Sequence, residues 1–189
     1  MDNTSESLLE RCFAEYANGT YVWGQGLDGQ YERFNTAPEM TQHYLDTYRE
    51  LFDGLTIYDP CANCGRILDA AEARGFTVKG SDIMPSEHPK VEVKNLFDIT
   101  DDLSEMAVMT IFRWGDTRGA LARCMIEHLR KLNPAVIFTS RAPKEVADHA
   151  LEGYELVTAD VVGADSYIKT CEGSKESFAE YYACLWKRL

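Results

Sequence analysis

The sequence predicts an α/β fold, a doubly wound, mainly parallel sheet with helices on both faces and a terminal antiparallel strand. Three observations carry that expectation. From Leu55 onward, short apolar runs alternate with stretches of helical spacing. One run, Ala135–Thr139, reads as a wholly apolar strand of the kind covered on both faces. The last two extended runs, Tyr154–Val161 and Phe178–Trp186, follow each other without an obvious helix between them, which permits an antiparallel closing pair. The 189 residues fit a single domain, and 45% apolar residues suffice for a core. Residues 1–35 form a lead-in and residues 36–189 the core.

In chain order, Ser5–Tyr16 reads as a helix with Leu8, Leu9, Cys12, Phe13 and Tyr16 on one face, and Gly19–Gly29 as irregular chain. Thr36-Ala-Pro38 opens a second helix: Thr36 can cap it, Pro38 suits its first turn, and Met40, Tyr44, Leu45, Tyr48 and Leu51 supply its stripe. Leu55–Tyr58 is a strand ended by Asp59-Pro60. Gly65–Arg74 is a helix stopped by Gly75, and Phe76–Lys79 a strand closed by Gly80-Ser81-Asp82. Val91–Val93 is short and extended, and Ala107–Phe112 is strongly strand-like. Arg118–Leu132 is the clearest helix, with Leu121, Met125, Leu129 and Leu132 inward and Asn133-Pro134 ending it. Glu145–Ala150 is helical.

Charge narrows the function classes. Nineteen basic residues against 31 acidic give −12, which argues against a surface coated in positive potential for nucleic acid. Between 113 and 144, seven basic residues face two acidic ones; a solvated helix face is the plain reading of that island, an anion site the functional one. No apolar run approaches the ~18 residues of a membrane span, and the acidic N-terminus lacks a signal-like apolar stretch. A cytoplasmic setting with reduced thiols is expected for the six cysteines. Cys61-Ala-Asn-Cys64 has the spacing of a zinc knuckle or a redox pair. With no second pair at short spacing, no metal site is expected, and both thiols read as buried fillers of a turn.

Ligands of such sheets bind beyond the carboxyl ends of the strands. Three acids fall there, Asp59, Asp82 and Asp98. The turn after Asp59 has a single glycine and no pyrophosphate-cradling pattern. Asp82, 23 residues on, suits ribose hydroxyls, so a ligand with ribose and no phosphate is favoured. Asp59 and Asp98 have a structural alternative as caps of the following turns.

Tyr58-Asp-Pro-Cys-Ala-Asn-Cys-Gly-Arg-Ile67 resembles the first motif of class I, Rossmann-like S-adenosylmethionine-dependent methyltransferases, particularly the adenine-N6 DNA methylase type. Gly80-Ser-Asp82-Ile and Asn95-Leu-Phe-Asp98 resemble the second and third motifs. Arg33-Phe-Asn-Thr-Ala-Pro-Glu-Met resembles the segment folding over the methionine moiety, and Tyr181–Lys187 the aromatic last strand of phage-type relatives. The resemblance implies S-adenosyl-L-methionine as cofactor. Asp59, Ala62 and Gly65 would then line its methionine side, Asp82 would hold the ribose hydroxyls and Asp98 would meet the adenine amino group beside Leu96 or Phe97, with Thr36, Pro60 and Ile83 also at the cofactor. Two departures stand out. Cys64 replaces a usual glycine, and the Asp/Asn-Pro-Pro-Tyr/Phe motif is missing, Thr110-Ile-Phe-Arg113-Trp-Gly-Asp116 standing in its place. No cysteine follows a proline there for cytosine-C5 chemistry.

The leading expectation is a methyltransferase of undetermined acceptor (small molecule, protein or nucleic acid). Trp114 would be a stacking platform, Asp116 a base, and Arg113 and Arg118 anion contacts. Trp114 as a packed aromatic and Asp116 as an ion-pair partner of Arg113 or Arg118 are the structural alternatives. An inactive subunit of the same fold that binds cofactor or scaffolds a partner is the alternative function.

Overall fold

A computed structural model describes residues 34–36, 38–111, 120–142, 144–162, 167–169 and 181–189. The expected helix Ser5–Tyr16, the glycine-rich stretch, and Arg113, Trp114, Asp116 and Arg118 lie outside the described residues. The elements are β1 (Phe34–Thr36), α1 (Pro38–Thr47), α2 (Arg49–Phe52), β2 (Thr56–Asp59), α3 (Arg66–Glu72), β3 (Val78–Asp82) and β4 (Val91–Val93). A 3₁₀ turn at Leu96–Asp98 leads to β5 (Met106–Thr110), α4 (Ala120–Lys131), β6 (Val136–Ala142), α5 (Lys144–Ala147), β7 (Tyr154–Val162), β8 (Tyr167–Lys169) and β9 (Tyr181–Arg188).

Seven strands form one sheet in the order β4-β3-β2-β5-β6-β9-β7. Pairings from β4 to β6 are parallel, while β9 runs antiparallel to both its neighbours, β6 and β7. The expected closing pair is thus real, and its final strand is inserted between the two that precede it. β1 and β8 form a separate antiparallel pair.

Alternation along each strand sends successive side chains to opposite faces. Tyr58, Val108, Ile137 and Trp186 go to the face packed with Leu96, Ile99, Met125 and Leu129. Ile57, Ala107, Phe138 and Leu185 go to the face packed with Tyr44, Leu45, Phe52 and Leu68. Val136 through Phe138 are buried throughout, as a strand covered on both faces requires. Each such side chain stabilises the fold by about 1.5–3 kcal/mol relative to exposure.

Several boundaries differ from the expected ones, and each difference has a local cause. Thr36 ends β1, its backbone paired with that of Tyr167, and Pro38 is the first helical residue of α1. Gly65 does not begin α3 but precedes it in the left-handed region at φ 79°. The strand expected at Phe76–Lys79 runs from Val78 to Asp82, because Gly80–Asp82 pair with Val91–Val93. Among the described residues, no helix is long and apolar enough to cross a membrane.

Candidate functional site

From β2 the chain steps outward to β3 and β4, then returns to the other side of β2 as β5. The carboxyl ends of β2 and β5 are therefore the point where strand order reverses, the usual ligand crevice of such sheets. Asp59 ends β2, and its Oδ1 accepts a 2.7 Å hydrogen bond from Thr110 Oγ1 at the end of β5. The site's most buried acid spans the switch point itself.

Asp59 is 2% exposed. Its Oδ1 also accepts from the Cys61 N–H at 3.0 Å. Burial lifts its carboxyl to about 7 against the lowering effect of those two bonds, and the nearby charge of Asp82 adds to the rise. Asp82, at the end of β3, accepts from the Asn63 N–H through Oδ2 at 2.8 Å and from the Met84 N–H through Oδ1 at 2.9 Å. Between them, the Ala62 N–H donates to the Ser81 carbonyl at 2.9 Å. Three successive N–H groups of the 61–63 loop thus bond, in turn, to Asp59, β3 backbone and Asp82. The two carboxylates hold the loop in place as well as facing the crevice.

That loop has a demanding backbone. Asn63 sits at φ 48° and Gly65 at φ 79°, and the Gly65 N–H closes a turn on the Ala62 carbonyl at 2.7 Å. A Cβ on Gly65 would stand 2.4 Å from the His88 ring, so no larger residue fits. His88 is held there by the Lys90 N–H donating to its Nδ1 and by its own Nε2–H donating to Asp69. A Cβ on Gly80 would approach Leu68 Cδ1 to 2.7 Å. Pro60 and Ala62 are buried.

The expected turn fillers behave differently from each other. Cys61 is half-buried, its thiol pushed well above the ordinary range by burial and then by Asp59 and Asp82. Cys64 is exposed, a correction to its reading as a buried filler. No group of three or more potential metal ligands occurs among the described residues.

Asp98 also departs from expectation, lying exposed in the 3₁₀ turn five residues past β4 rather than at a strand end. Asn95 caps that turn, its Oδ1 accepting from the Phe97 N–H. Phe97 is half-buried with its ring 5.2 Å from that of His128. Burial lowers the pKa of His128 below the ordinary histidine range, and its Nε2–H donates to the Ile99 carbonyl. Ile83, directly after Asp82, is a large apolar side chain 38% exposed. Beneath the crevice, the Tyr58 and Ser81 hydroxyls share a 2.6 Å hydrogen bond, and burial lifts the Tyr58 phenol to about 12.

Of the expected site residues, the structure brings Asp59, Pro60, Ala62, Gly65, Asp82 and Ile83 to one loop system, with Phe97 and Asp98 in the next turn. Thr36 is placed by its backbone at the end of β1. Sequence reading missed Thr110 as the partner of Asp59, because a threonine inside an apolar run carries no signal of its partner across 51 residues. It also missed His88, whose role exists only through the ring's fit to Gly65. A separate groove of about 380 Å³, lined by Arg130, Asn133, Glu152, Tyr154 and Arg188, lies at the opposite edge of the sheet; Glu127, Glu152 and a backbone carbonyl already satisfy its cations.

No protein-family model matches the sequence, and no curated protein does. Solved structures share the fold. Magnesium protoporphyrin IX methyltransferase from Synechocystis PCC 6803, with bound S-adenosylmethionine, is 17% identical with a TM-score of 0.55, over 80% of this chain and 78% of that one. A putative RNA methyltransferase from Pyrococcus horikoshii is 11% identical with a TM-score of 0.58, over 100% and 98%. The 1,6-didemethyltoxoflavin-N1-methyltransferase of Burkholderia thailandensis, with bound S-adenosylhomocysteine, is 11% identical with a TM-score of 0.54, over 98% and 89%. At these identities the likeness is one of fold.

Proposed function

We propose that the chain is an S-adenosylmethionine-dependent methyltransferase. The observation that carries this reading is the pair Asp59 and Asp82 on adjacent parallel strands at the switch point, tied together by the N–H groups of one loop. The fold's occurrence in proteins solved with S-adenosylmethionine or S-adenosylhomocysteine supports the same cofactor class.

The residues present suit such a ligand. Asp82 spends one lone pair per oxygen on backbone N–H groups and keeps others for ribose hydroxyls. Ile83 and Phe97 offer apolar faces to the adenine, and the exposed Asp98 an acceptor for its amino group. Thr36, Asp59, Pro60, Ala62 and Gly65 border the methionine end. When bound, the cofactor supplies a methyl group already activated by its sulfonium. The protein's part is then alignment of the acceptor, with a base only where the acceptor carries a proton. Trp114 and Asp116 are the residues proposed for platform and base, Arg113 and Arg118 for an anionic group of the acceptor.

Calorimetric titration with S-adenosylhomocysteine tests the reading. Micromolar binding is expected, with stabilisation of about 2.7 kcal/mol at a hundredfold excess over Kd. Asp82→Asn should remove most of it while keeping one oxygen for the loop. Absence of binding to the wild type at millimolar ligand rejects the cofactor.

A further inference from the structure

Two buried polar atoms on neighbouring helices, Thr41 Oγ1 and Arg66 Nε, have no hydrogen-bond partner among the described residues. Thr41 lies in the first half of α1, and Arg66 is the first residue of α3. Arg74, just beyond α3, donates through Nε and an Nη to both carboxylate oxygens of Asp46, near the end of α1, at 3.0–3.1 Å. With their later ends clamped together and the helices packed against each other, α1 and α3 begin side by side. Thr41 is 0% exposed, and Leu45, one turn on along the same face, is fully buried too. Arg66 directly follows Gly65, so its side chain departs from the loop that Asp59 and Asp82 hold.

Both groups are costly as they stand. A buried hydroxyl without a partner forfeits its hydration, and so does the buried Nε of Arg66, a half-buried side chain. In this chain acids outnumber bases 31 to 19. Arg49, Arg74 and Arg130 each have a carboxylate partner, whereas Arg66 makes no ion pair among the described residues. Arg123 Nε and Trp186 Nε1 are likewise unpartnered, but Arg123 belongs to α4 and Trp186 to β9, and Trp186 packs with α4 in the core on the other face of the sheet.

We propose that Thr41 and Arg66 form a subsite for a small oxyanion, a carboxylate or a phosphate, beside the 61–65 loop. The guanidinium supplies charge and N–H donors, and the hydroxyl a further donor. The oxyanion has two possible sources: the amino-acid end of the cofactor, which rests on the methyltransferase reading, or an anionic group of the acceptor.

The test uses the full chain with three probes. These are inorganic phosphate against chloride at equal ionic strength, S-adenosylhomocysteine, and 5′-methylthioadenosine, which keeps the nucleoside and sulfur but lacks the carboxylate. If the cofactor is the source, Arg66→Gln weakens S-adenosylhomocysteine roughly tenfold and leaves 5′-methylthioadenosine unchanged, with partial rescue by Arg66→Lys. If the acceptor is the source, phosphate raises the wild-type melting temperature above the chloride control, Arg66→Gln abolishes that rise, and both nucleosides bind as before. Thr41→Val should weaken whichever oxyanion responds to Arg66→Gln, while raising the melting temperature of the ligand-free chain. A phosphate effect equal to that of chloride, together with an unchanged preference between the two nucleosides in Arg66→Gln and Thr41→Val, overturns the subsite. Failure of the wild type to bind either nucleoside sinks the cofactor reading instead and leaves the phosphate comparison to decide.

Discussion

At the scale of single residues, Asp59 is the most informative side chain because its burial makes it a reporter on pH. The unfolded chain releases the carboxyl proton near 3.8 and the folded chain near 7. Between those values the folded state holds the extra proton, so this group's contribution to stability falls as pH rises through that window and is constant above it. Asp59→Asn, neutral throughout, should therefore gain on the wild type between pH 4 and pH 7, by on the order of a few kcal/mol. Urea midpoints of both proteins at pH 5 and pH 8 measure this, and an equal difference at the two pH values refutes the burial argument. Gly65 reports on the same loop by geometry. Gly65→Ala meets both a positive φ and the His88 ring, whereas Gly75→Ala, at φ 83°, has open space for its Cβ. The second change should cost about 1 kcal/mol and the first distinctly more, roughly 1–3 kcal/mol beyond it. Adding His88→Ala should recover part of the Gly65→Ala loss, a coupling that a double-mutant cycle reads directly.

At the scale of elements, the sequence was most legible where periodicity and stop signals agree. The helix expected to end at Asn133-Pro134 does end there: Lys131 is the last helical residue of α4, and Asn133 takes the left-handed conformation at φ 62°. Both Asn133→Ala and Asn133→Gly lose the side-chain hydrogen bond to Asp102, but alanine should cost about 1 kcal/mol more than glycine because it tolerates that region poorly. Thermal melts of the two variants decide it. Legibility failed where an element depends on a partner distant in sequence. Gly80–Asp82 look like a turn until β4 pairs with them, and Thr36 looks like a cap until Tyr167 makes it a strand residue. The acids at positions 59 and 82 were visible as candidate ligand groups. The second role of Asp59, capping the turn that follows it, was legible too, and its Oδ1 does accept from the Cys61 N–H two residues on; that Asp82 holds residue 63 was not, since that partner lies 19 residues away in sequence.

At the scale of the whole molecule, the excess of acid residues decides how stability responds to salt. Two opposing terms are present. The ion pairs Arg49–Asp53, Lys79–Glu92, Lys144–Asp148 and Lys187–Glu155 all involve side chains at least 40% exposed, and pairs of that kind contribute only about 0–1 kcal/mol each. Against them stands the mutual repulsion of a chain carrying −12, a cost that compaction increases. Sodium chloride screens both, shortening the Debye length from about 30 Å at 0.01 M to about 8 Å at 0.15 M. The pairs, being close contacts, lose less to screening than the diffuse repulsion, whose charges lie a Debye length or more apart. Repulsion should therefore dominate the change, and the melting temperature should rise as sodium chloride increases across that range at pH 8. Chloride is the right anion for the measurement, because phosphate and sulfate would add any oxyanion binding at Thr41 and Arg66. A melting temperature that falls with sodium chloride would mean that the ion pairs outweigh the net charge and that the acids on this surface are already locally compensated.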